Sequence, residues 1–249
     1  MRIVIFSGTT EGRLLSGELA KLGAEVLVSV ATEYGKEEQG EIPGVSVHSG
    51  RLDKGGMAAL VKGADLCVDA THPYAAEVSK NLRLACREAG VPLKRLLRAE
   101  SPLPEDCLTA ENTAEAAALL QHTEGNILLT TGAKELAAFA SLGGDRLYPR
   151  GLPLQGSLTS CEAAGIPRSN ILAMQGPFSE ELNVAMIHQY RIRFLVTKDG
   201  GAAGGFAEKA RAAEQTGARL VVIRRPADQG ESYKQILSEC RELITCSSC

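Results

Sequence analysis

Short clusters of hydroxyl, acidic, imidazole, phenolic and cationic residues recur along this chain, each directly after a run of apolar residues. The first is Ser7-Gly8-Thr9-Thr10-Glu11-Gly12-Arg13, which follows Arg2-Ile3-Val4-Ile5-Phe6 and opens a helical pattern from Leu14 to Leu22. Glycine lets the backbone approach an anion closely, threonine hydroxyls add donors, and a helix N-terminus offers unpaired N–H groups and a positive dipole end. That is phosphate-binding chemistry. The loop has only Gly8 and Gly12, against the G-x-G-x-x-G of the dinucleotide fingerprint, so an ordinary strand-to-helix turn stays open as the plainer reading.

The later clusters extend the pattern. Leu66-Cys-Val-Asp69 runs into Ala70-Thr71-His72-Pro73-Tyr74, which sets an acid, a hydroxyl, an imidazole and a phenol at one strand end. Helix capping accounts for Asp69 or Thr71, but not for His72 and Tyr74. Leu128-Leu129-Thr130-Thr131-Gly132-Ala133-Lys134-Glu135 suits an anionic group, with a capping box and a solvated Lys134 as the alternative. Arg150 lies between Pro149 and Pro153, and arginine grips a carboxylate through two parallel bonds. Gln175-Gly176-Pro177-Phe178-Ser179 precedes a helix bearing Asn183. Thr197-Lys198-Asp199-Gly200-Gly201 is followed by Gly204, Gly205 and Lys209, and such glycine density suits a backbone that wraps a ligand, or a loose surface loop. Lys198 and Asp199 read as an ion pair or as groups that position and protonate a substrate. Arg224-Arg225-Pro226 closes the series.

The elements that must position these clusters are β-branched runs alternating with segments of helical period, the signature of βαβ units and a mostly parallel sheet. Strands are predicted at 2–6, 25–29, 45–48, 66–69 and 92–95, with helices at 14–22, 57–62 and 75–89 stopped by Gly23, Gly63 and Gly90. This is one Rossmann-like half. A proline-rich polar stretch, 99–106, reads as a connection. Beyond it, strands at 126–130, 146–149, 171–174, 192–197 and 219–223 alternate with helices at 113–121, 134–140, 156–164, 179–190 and 204–216, and a last helix spans 232–243. The predicted fold is α/β, two Rossmann-like domains with mostly parallel sheets and a ligand cleft between them. Domain boundaries are expected at 1–100, 101–244 and a tail, 245–249. In such sheets ligands bind beyond the carboxyl ends of the strands, where the clusters lie.

The 249 residues suffice for two cores. A net charge of −3 without long Lys/Arg runs gives no electrostatic footprint for nucleic acid or an anionic membrane. No apolar run approaches the roughly 18–20 residues of a membrane span, and the start does not read as a signal peptide, so the chain reads as cytoplasmic. Seven scattered cysteines do not suggest a disulfide framework, and Cys246-Ser-Ser-Cys249 has neither a second pair nor a histidine to make a metal site, so no metal is expected.

Taken in order, Gly8-Thr-Thr-Glu-Gly-Arg13, Asp69-Ala-Thr-His-Pro-Tyr-Ala75, Thr131-Gly-Ala-Lys134, Gln175-Gly-Pro-Phe-Ser179, Thr197-Lys-Asp-Gly-Gly201 and Arg225-Pro226 resemble the precorrin-6A reductase family of cobalamin biosynthesis, over nearly the whole chain. The resemblance implies reduction of a double bond in the precorrin-6A or cobalt-precorrin-6A macrocycle, with NADPH or NADH giving hydride to one carbon and a proton added to its neighbour. It implies that Gly8, Thr9 and Thr10 hold the cofactor, with Thr71 and Tyr74 beside them. His72, Lys198 and Asp199 are the catalytic candidates, the last two for positioning and proton delivery. Arg13, Thr131, Lys134, Arg150, Gln175, Ser179, Gly200 and Arg225 are the substrate candidates, because a macrocycle bearing many carboxylates needs cations. Transient contact with other corrin-pathway enzymes is a further expectation. The end of the second strand carries neither an acid for a ribose 2′-hydroxyl nor an arginine for a 2′-phosphate, which leaves NADH and NADPH both open. A sugar-nucleotide or phosphate-metabolite enzyme, or a nucleotide sensor, is the competing reading.

Overall fold

The computed structural model describes residues 1–98, 101–201 and 204–246. The first two residues of the predicted connection and the Cys249 end of the C-x-x-C tail fall outside them. Along the chain come β1 (Arg2–Phe6), α1 (Thr10–Lys21), β2 (Glu25–Val30), α2 (Glu33–Gln39), β3 (Val45–Ser49), α3 (Lys54–Val61), β4 (Leu66–Asp69), α4 (Ala76–Ala89) and β5 (Leu93–Leu97). Then follow β6 (Leu108–Ala110), α5 (Thr113–Leu120), β7 (Asn126–Leu129), a 3-10 run (Ala133–Leu142), β8 (Leu147–Gly151), α6 (Gln155–Ala163), β9 (Leu172–Ala173), α7 (Glu180–Gln189), β10 (Ile192–Lys198), α8 (Phe206–Thr216) and β11 (Arg219–Ile223). The last elements are β12 (Glu231–Ser232) and α9 (Tyr233–Cys246).

These elements form two six-stranded sheets, ordered β12-β5-β4-β1-β2-β3 and β6-β11-β10-β7-β8-β9, and every pairing in both is parallel. Read from its third strand inward, each sheet has the doubly wound order 3-2-1-4-5-6. In each, the sixth position is taken by a strand out of sequence: β12 beside β5, and β6 beside β11.

The first sheet shows why its central strand reads as a continuous apolar run. Ile3 and Ile5 pack with Leu15, Leu19, Ile236, Cys240 and Ile244 on one face, whereas Val4 and Phe6 pack with Met57, Val61, Leu82 and Ala85 on the other. Side chains alternate across a strand, so a sheet covered by helices on both faces buries both parities. Each fully buried Ile or Leu contributes about 1.5–3 kcal/mol of hydrophobic stabilisation.

The same packing corrects the expected domain boundary. Residues 1–99 and 227–249 form one unit and 100–226 the other, so the final helix belongs with the first sheet. Ile236, Cys240 and Ile244 of α9 supply apolar surface to the face that α1 also covers. In the second unit, Leu128, Leu195, Leu220 and Val222 from the sheet pack against Met186 and Ile187 of α7 and Phe206, Ala212 and Ala213 of α8.

Three elements escape the sequence pattern. The α2 segment, Glu-Tyr-Gly-Lys-Glu-Glu-Gln, has no apolar periodicity and rests on the Thr32 cap, whose side chain accepts from Gly35 N. β6 and β12 are three and two residues long, too short to show alternation. The predicted helix at 134–140 is a 3-10 run. No helix among the described residues is long and apolar enough to cross a membrane.

Candidate functional site

In the first unit, α1 begins at the end of the central strand. Thr9 is its N-cap: the hydroxyl accepts from Gly12 N at 3.1 Å and donates to Ala70 O at 2.9 Å. Thr9 therefore spends its hydroxyl on locking α1 to the end of β4, and only its backbone is left to serve a ligand. Gly8 sits at φ +151°, where a side chain would be strained, and a Cβ built there would meet nothing within 4 Å, so the backbone is bare on its open side. Gly12 does the opposite work: a Cβ would lie 2.6 Å from Ser7 Oγ and 2.9 Å from Ala70 Cβ, so glycine lets α1 seat against the strand ends. Thr10 is exposed at the first helical position, and Glu11 is ion-paired to Arg98 at 2.6 Å, which offsets its charge beside the helix start. Arg13 is exposed.

At the next strand tip, the predicted cap is absent. α4 starts at Ala76 with no side-chain cap, and Asp69 and Thr71 are committed elsewhere. Asp69 Oδ1 accepts from Thr71 Oγ1 at 2.6 Å, Thr71 N at 3.1 Å and Arg95 Nη1 at 2.8 Å. Arg95 also donates to the carbonyls of Asp69 and Thr71, and through Nε to Asp228 Oδ2 at 2.8 Å. Thr71, expected at the cofactor, thus has its hydroxyl engaged by the protein itself. The network holds up the half-buried His72 and Tyr74, whose rings lie 5.4 Å apart.

In the second unit, the tips of β10, β7 and β8 are consecutive in the sheet. Lys198 and Asp199 do not pair with each other. Lys198 Nζ lies 2.7 Å from Glu135 Oε2, and Asp199 is gripped by Arg225, with Nε 3.0 Å from Oδ2 and Nη2 3.1 Å from Oδ1. Gly201 N also donates to Asp199 Oδ1, at 3.2 Å. Asp199 is therefore a buried acceptor that fixes the glycine loop, and Arg225 is its partner. Gly200 is buried in the same turn.

At the β8 tip, Arg150 is buried, its guanidinium 4.0 Å over the Phe178 ring and Nη1 2.7 Å from Asn183 Oδ1. Burial alone pushes its pKa down, to about 10. Thr131 Oγ1 is buried with no hydrogen-bond partner among the described residues. Ser179 caps α7, its hydroxyl accepting from Leu182 N, and Lys134 and Gln175 are exposed. The Gly176–Pro177 bond just before Phe178 is cis.

Two groups outside the predicted set stand out. Arg95 reads in sequence only as the end of a strand, and nothing local announces Asp228 as its partner. Lys209 is buried within α8, and burial, followed by the charge of Arg150, lowers its pKa to about 8, against the opposing pull of Glu208 and Asp199. Its one sequence signal is its place in the buried series Phe206, Lys209, Ala212, Ala213. Among the described residues no group of His, Cys, Asp and Glu side chains is arranged to hold a metal ion.

Fold and site together define a pair of doubly wound α/β units, one opening on a helix N-terminus with a bare glycine, the other carrying a buried arginine at the end of β8 and a buried lysine in α8. The family model for precorrin-6x reductase CbiJ/CobK matches residues 2–246. The cobalt-precorrin-6A reductase of Priestia megaterium is 36% identical over 97% of this chain and 96% of that protein, and that of Salmonella typhimurium is 38% identical over 90% and 87%. The solved structure of a CobK precorrin-6A reductase has the same fold, with a TM-score of 0.79 at 24% identity over 97% of both chains. This chain belongs to the precorrin-6x reductase family.

Proposed function

We propose that the protein reduces one ring double bond of precorrin-6A or its cobalt form, using NADH or NADPH as hydride donor. The observation that carries this reading is a cationic set in the second unit of a chain of net charge −3, Arg150, Lys198 and Arg225 at or beyond strand ends and Lys209 in α8, beside an anion-ready helix start in the first unit. A polycarboxylate macrocycle suits the one and a pyrophosphate the other.

The first unit fits a dinucleotide. Gly8 leaves backbone open to a phosphate, and the first N–H groups of α1 have no intrahelical acceptor, apart from Gly12 N, which Thr9 caps. Gly8, Thr10 and the Thr9 backbone are assigned to the pyrophosphate. When bound, the reduced nicotinamide supplies a hydride. His72 and Tyr74, carried beyond β4, orient the reacting rings and exclude water, while Thr71 works indirectly, by fixing that turn through Asp69 and Arg95. Asp199, with Oδ1 accepting from Arg225 Nη2, the backbone carbonyl accepting from Nε and Oδ2 ion-paired to the same guanidinium, positions the loop rather than delivering a proton. Lys198 and His72 are assigned to holding and releasing one. Much of the acceleration is alignment of two reactants.

Anaerobic incubation of the purified protein with precorrin-6A, or its cobalt form, and each reduced nicotinamide tests the reading. Loss of the reduced-nicotinamide absorbance with at least one pairing is expected. No loss with any pairing overturns it.

A further inference from the structure

The acid that a dinucleotide site uses to hold an adenosine ribose is missing from the immediate tip of β2, Val30-Ala31-Thr32. The fold brings one from the start of α2. Thr32 caps that helix, its side chain accepting from Gly35 N at 3.0 Å, so Glu33 stands at the first helical position. Gly35 lets the helix sit close to the strand, since a Cβ there would lie 3.3 Å from Val30 Cβ. Glu33 is exposed but tethered. Its Oε1 accepts from the hydroxyl of Ser49, the last residue of β3, and no other hydrogen bond or ion pair falls on the carboxylate among the described residues.

Strand pairing fixes where this carboxylate lies. β2 and β3 stay in register to their ends, with Val30 opposite Ser49 and Gly50 N donating to Val30 O at 2.9 Å, so Glu33 spans both tips. β1, β2 and β3 are consecutive in the sheet, and Ser7 N donates to Ser29 O at 2.9 Å, which keeps the β1 tip level with the other two. Neighbouring strands are about 5 Å apart, so the bare Gly8 backbone and the Glu33 carboxylate lie roughly 5–10 Å apart along one carboxyl edge. In a doubly wound unit the pyrophosphate sits at the first helix and an acid farther along the chain reads the ribose.

We propose that Glu33, held in place by Ser49, is the residue that selects the nicotinamide cofactor, by accepting a hydrogen bond from the 2′-hydroxyl of the adenosine ribose. A 2′-phosphate at the same position brings about −1.5 to −2 charges, so it meets the carboxylate with like charge. The site therefore favours NADH over NADPH. The cations nearby are Arg51, just beyond the β3 tip, and Lys36, one turn along α2. Both are exposed and neither makes an ion pair among the described residues, so neither is fixed at the tips as Glu33 is.

The proposal rests on the dinucleotide side of the reductase reading, and its test needs no macrocycle. Dissociation constants for NADH and NADPH are measured by titration calorimetry in the parent, Glu33→Gln, Ser49→Ala and Arg51→Ala. The parent binds NADH about tenfold or more tightly than NADPH. Glu33→Gln narrows that ratio about tenfold, chiefly by tightening NADPH, because glutamine keeps the size and removes the charge. Ser49→Ala releases the carboxylate and narrows the ratio less, a change that a merely structural serine would not produce. Equal or tighter NADPH binding by the parent, a ratio unmoved in Glu33→Gln, or an NADPH affinity that depends on Arg51 and not on Glu33 overturns the proposal, even in a protein that reduces the macrocycle. Failure to bind either nicotinamide overturns it together with the reductase reading. The expected ratios without turnover of any macrocycle keep the selector and end the reductase reading alone.

Discussion

Replacing Arg95 by methionine tests how the first unit holds its β4 tip. Met approximates the length of the arginine stem and removes only the charge and the donors. The arginine side chain is 6% exposed and that of Asp69 is 1% exposed, so the substitution strands a buried carboxylate that keeps only the two Thr71 donors. Removing one member of a buried pair costs about 3–5 kcal/mol, because the remaining charge is uncompensated. Asp228 adds little, since it is 20% exposed and retains Arg83 at 2.8 Å. The expected loss is thus about 3–5 kcal/mol, a large share of the roughly 5–15 kcal/mol of a typical domain. Urea unfolding followed by circular dichroism reads it, in the transition belonging to the first unit. Asp69→Asn in the Arg95→Met background should recover at least about 1–2 kcal/mol, since it removes the stranded charge. Titration calorimetry should show weaker dinucleotide binding, because the turn that carries His72 and Tyr74 loses its Arg95 ties at the Asp69 and Thr71 carbonyls. A loss below about 1 kcal/mol, or additive effects of the two changes, would refute the view that the ion pair organises this tip.

Gly8→Val should raise the dinucleotide dissociation constant about tenfold or more through backbone strain at φ +151°, and leave macrocycle binding alone; retained nicotinamide affinity by calorimetry would remove Gly8 from the phosphate site. Asp199→Ala frees Arg225 and the glycine loop, so kcat/KM for the macrocycle should fall by about a hundredfold with nicotinamide affinity held, and equal losses in both would show that the loop does not act on substrate alone. The pH dependence of Lys209 has a definite sign. Its pKa, about 8 in the folded chain against 10.5 for an ordinary lysine, means that the unfolded chain binds more protons between the two. The stability of the parent relative to Lys209→Met therefore rises with pH across that window, by about 3 kcal/mol in all, and a flat difference in urea midpoints would contradict it.

Some of this protein is written locally. The Ile3-Val4-Ile5 run is apolar because both faces of a central parallel strand are covered, and that demand is visible without coordinates. Strand-end glycines, hydroxyls and cations are likewise visible, since a doubly wound sheet puts its ligand chemistry at those positions. The alternation of β-branched runs with helical period accordingly marks out every strand of both sheets except the short β6 and β12, and the order of the strand-tip clusters marks out the family.

Partnership is different. Lys198 and Asp199 are adjacent in sequence yet pair with Glu135 and Arg225, because neighbouring residues on a strand point to opposite faces. Thr9 and Thr71 look like ligand hydroxyls, but each donates its proton to the fold. Asp69 meets Arg95, and Arg95 meets Asp228 more than a hundred residues on, only because β4 lies beside β5 and the returning chain adds β12 to the same edge. The place of α9 was decided in the same way, by an apolar face of the first sheet that its own helices left incomplete. The sequence by itself determined the type of element and the chemistry available at its ends, since those depend on the residue and its near neighbours. Tertiary structure alone decided which charges are neutralised within the protein and which, like Arg150 and Lys209, are buried without an ionic partner among the described residues, since that depends on distances between residues far apart in the chain.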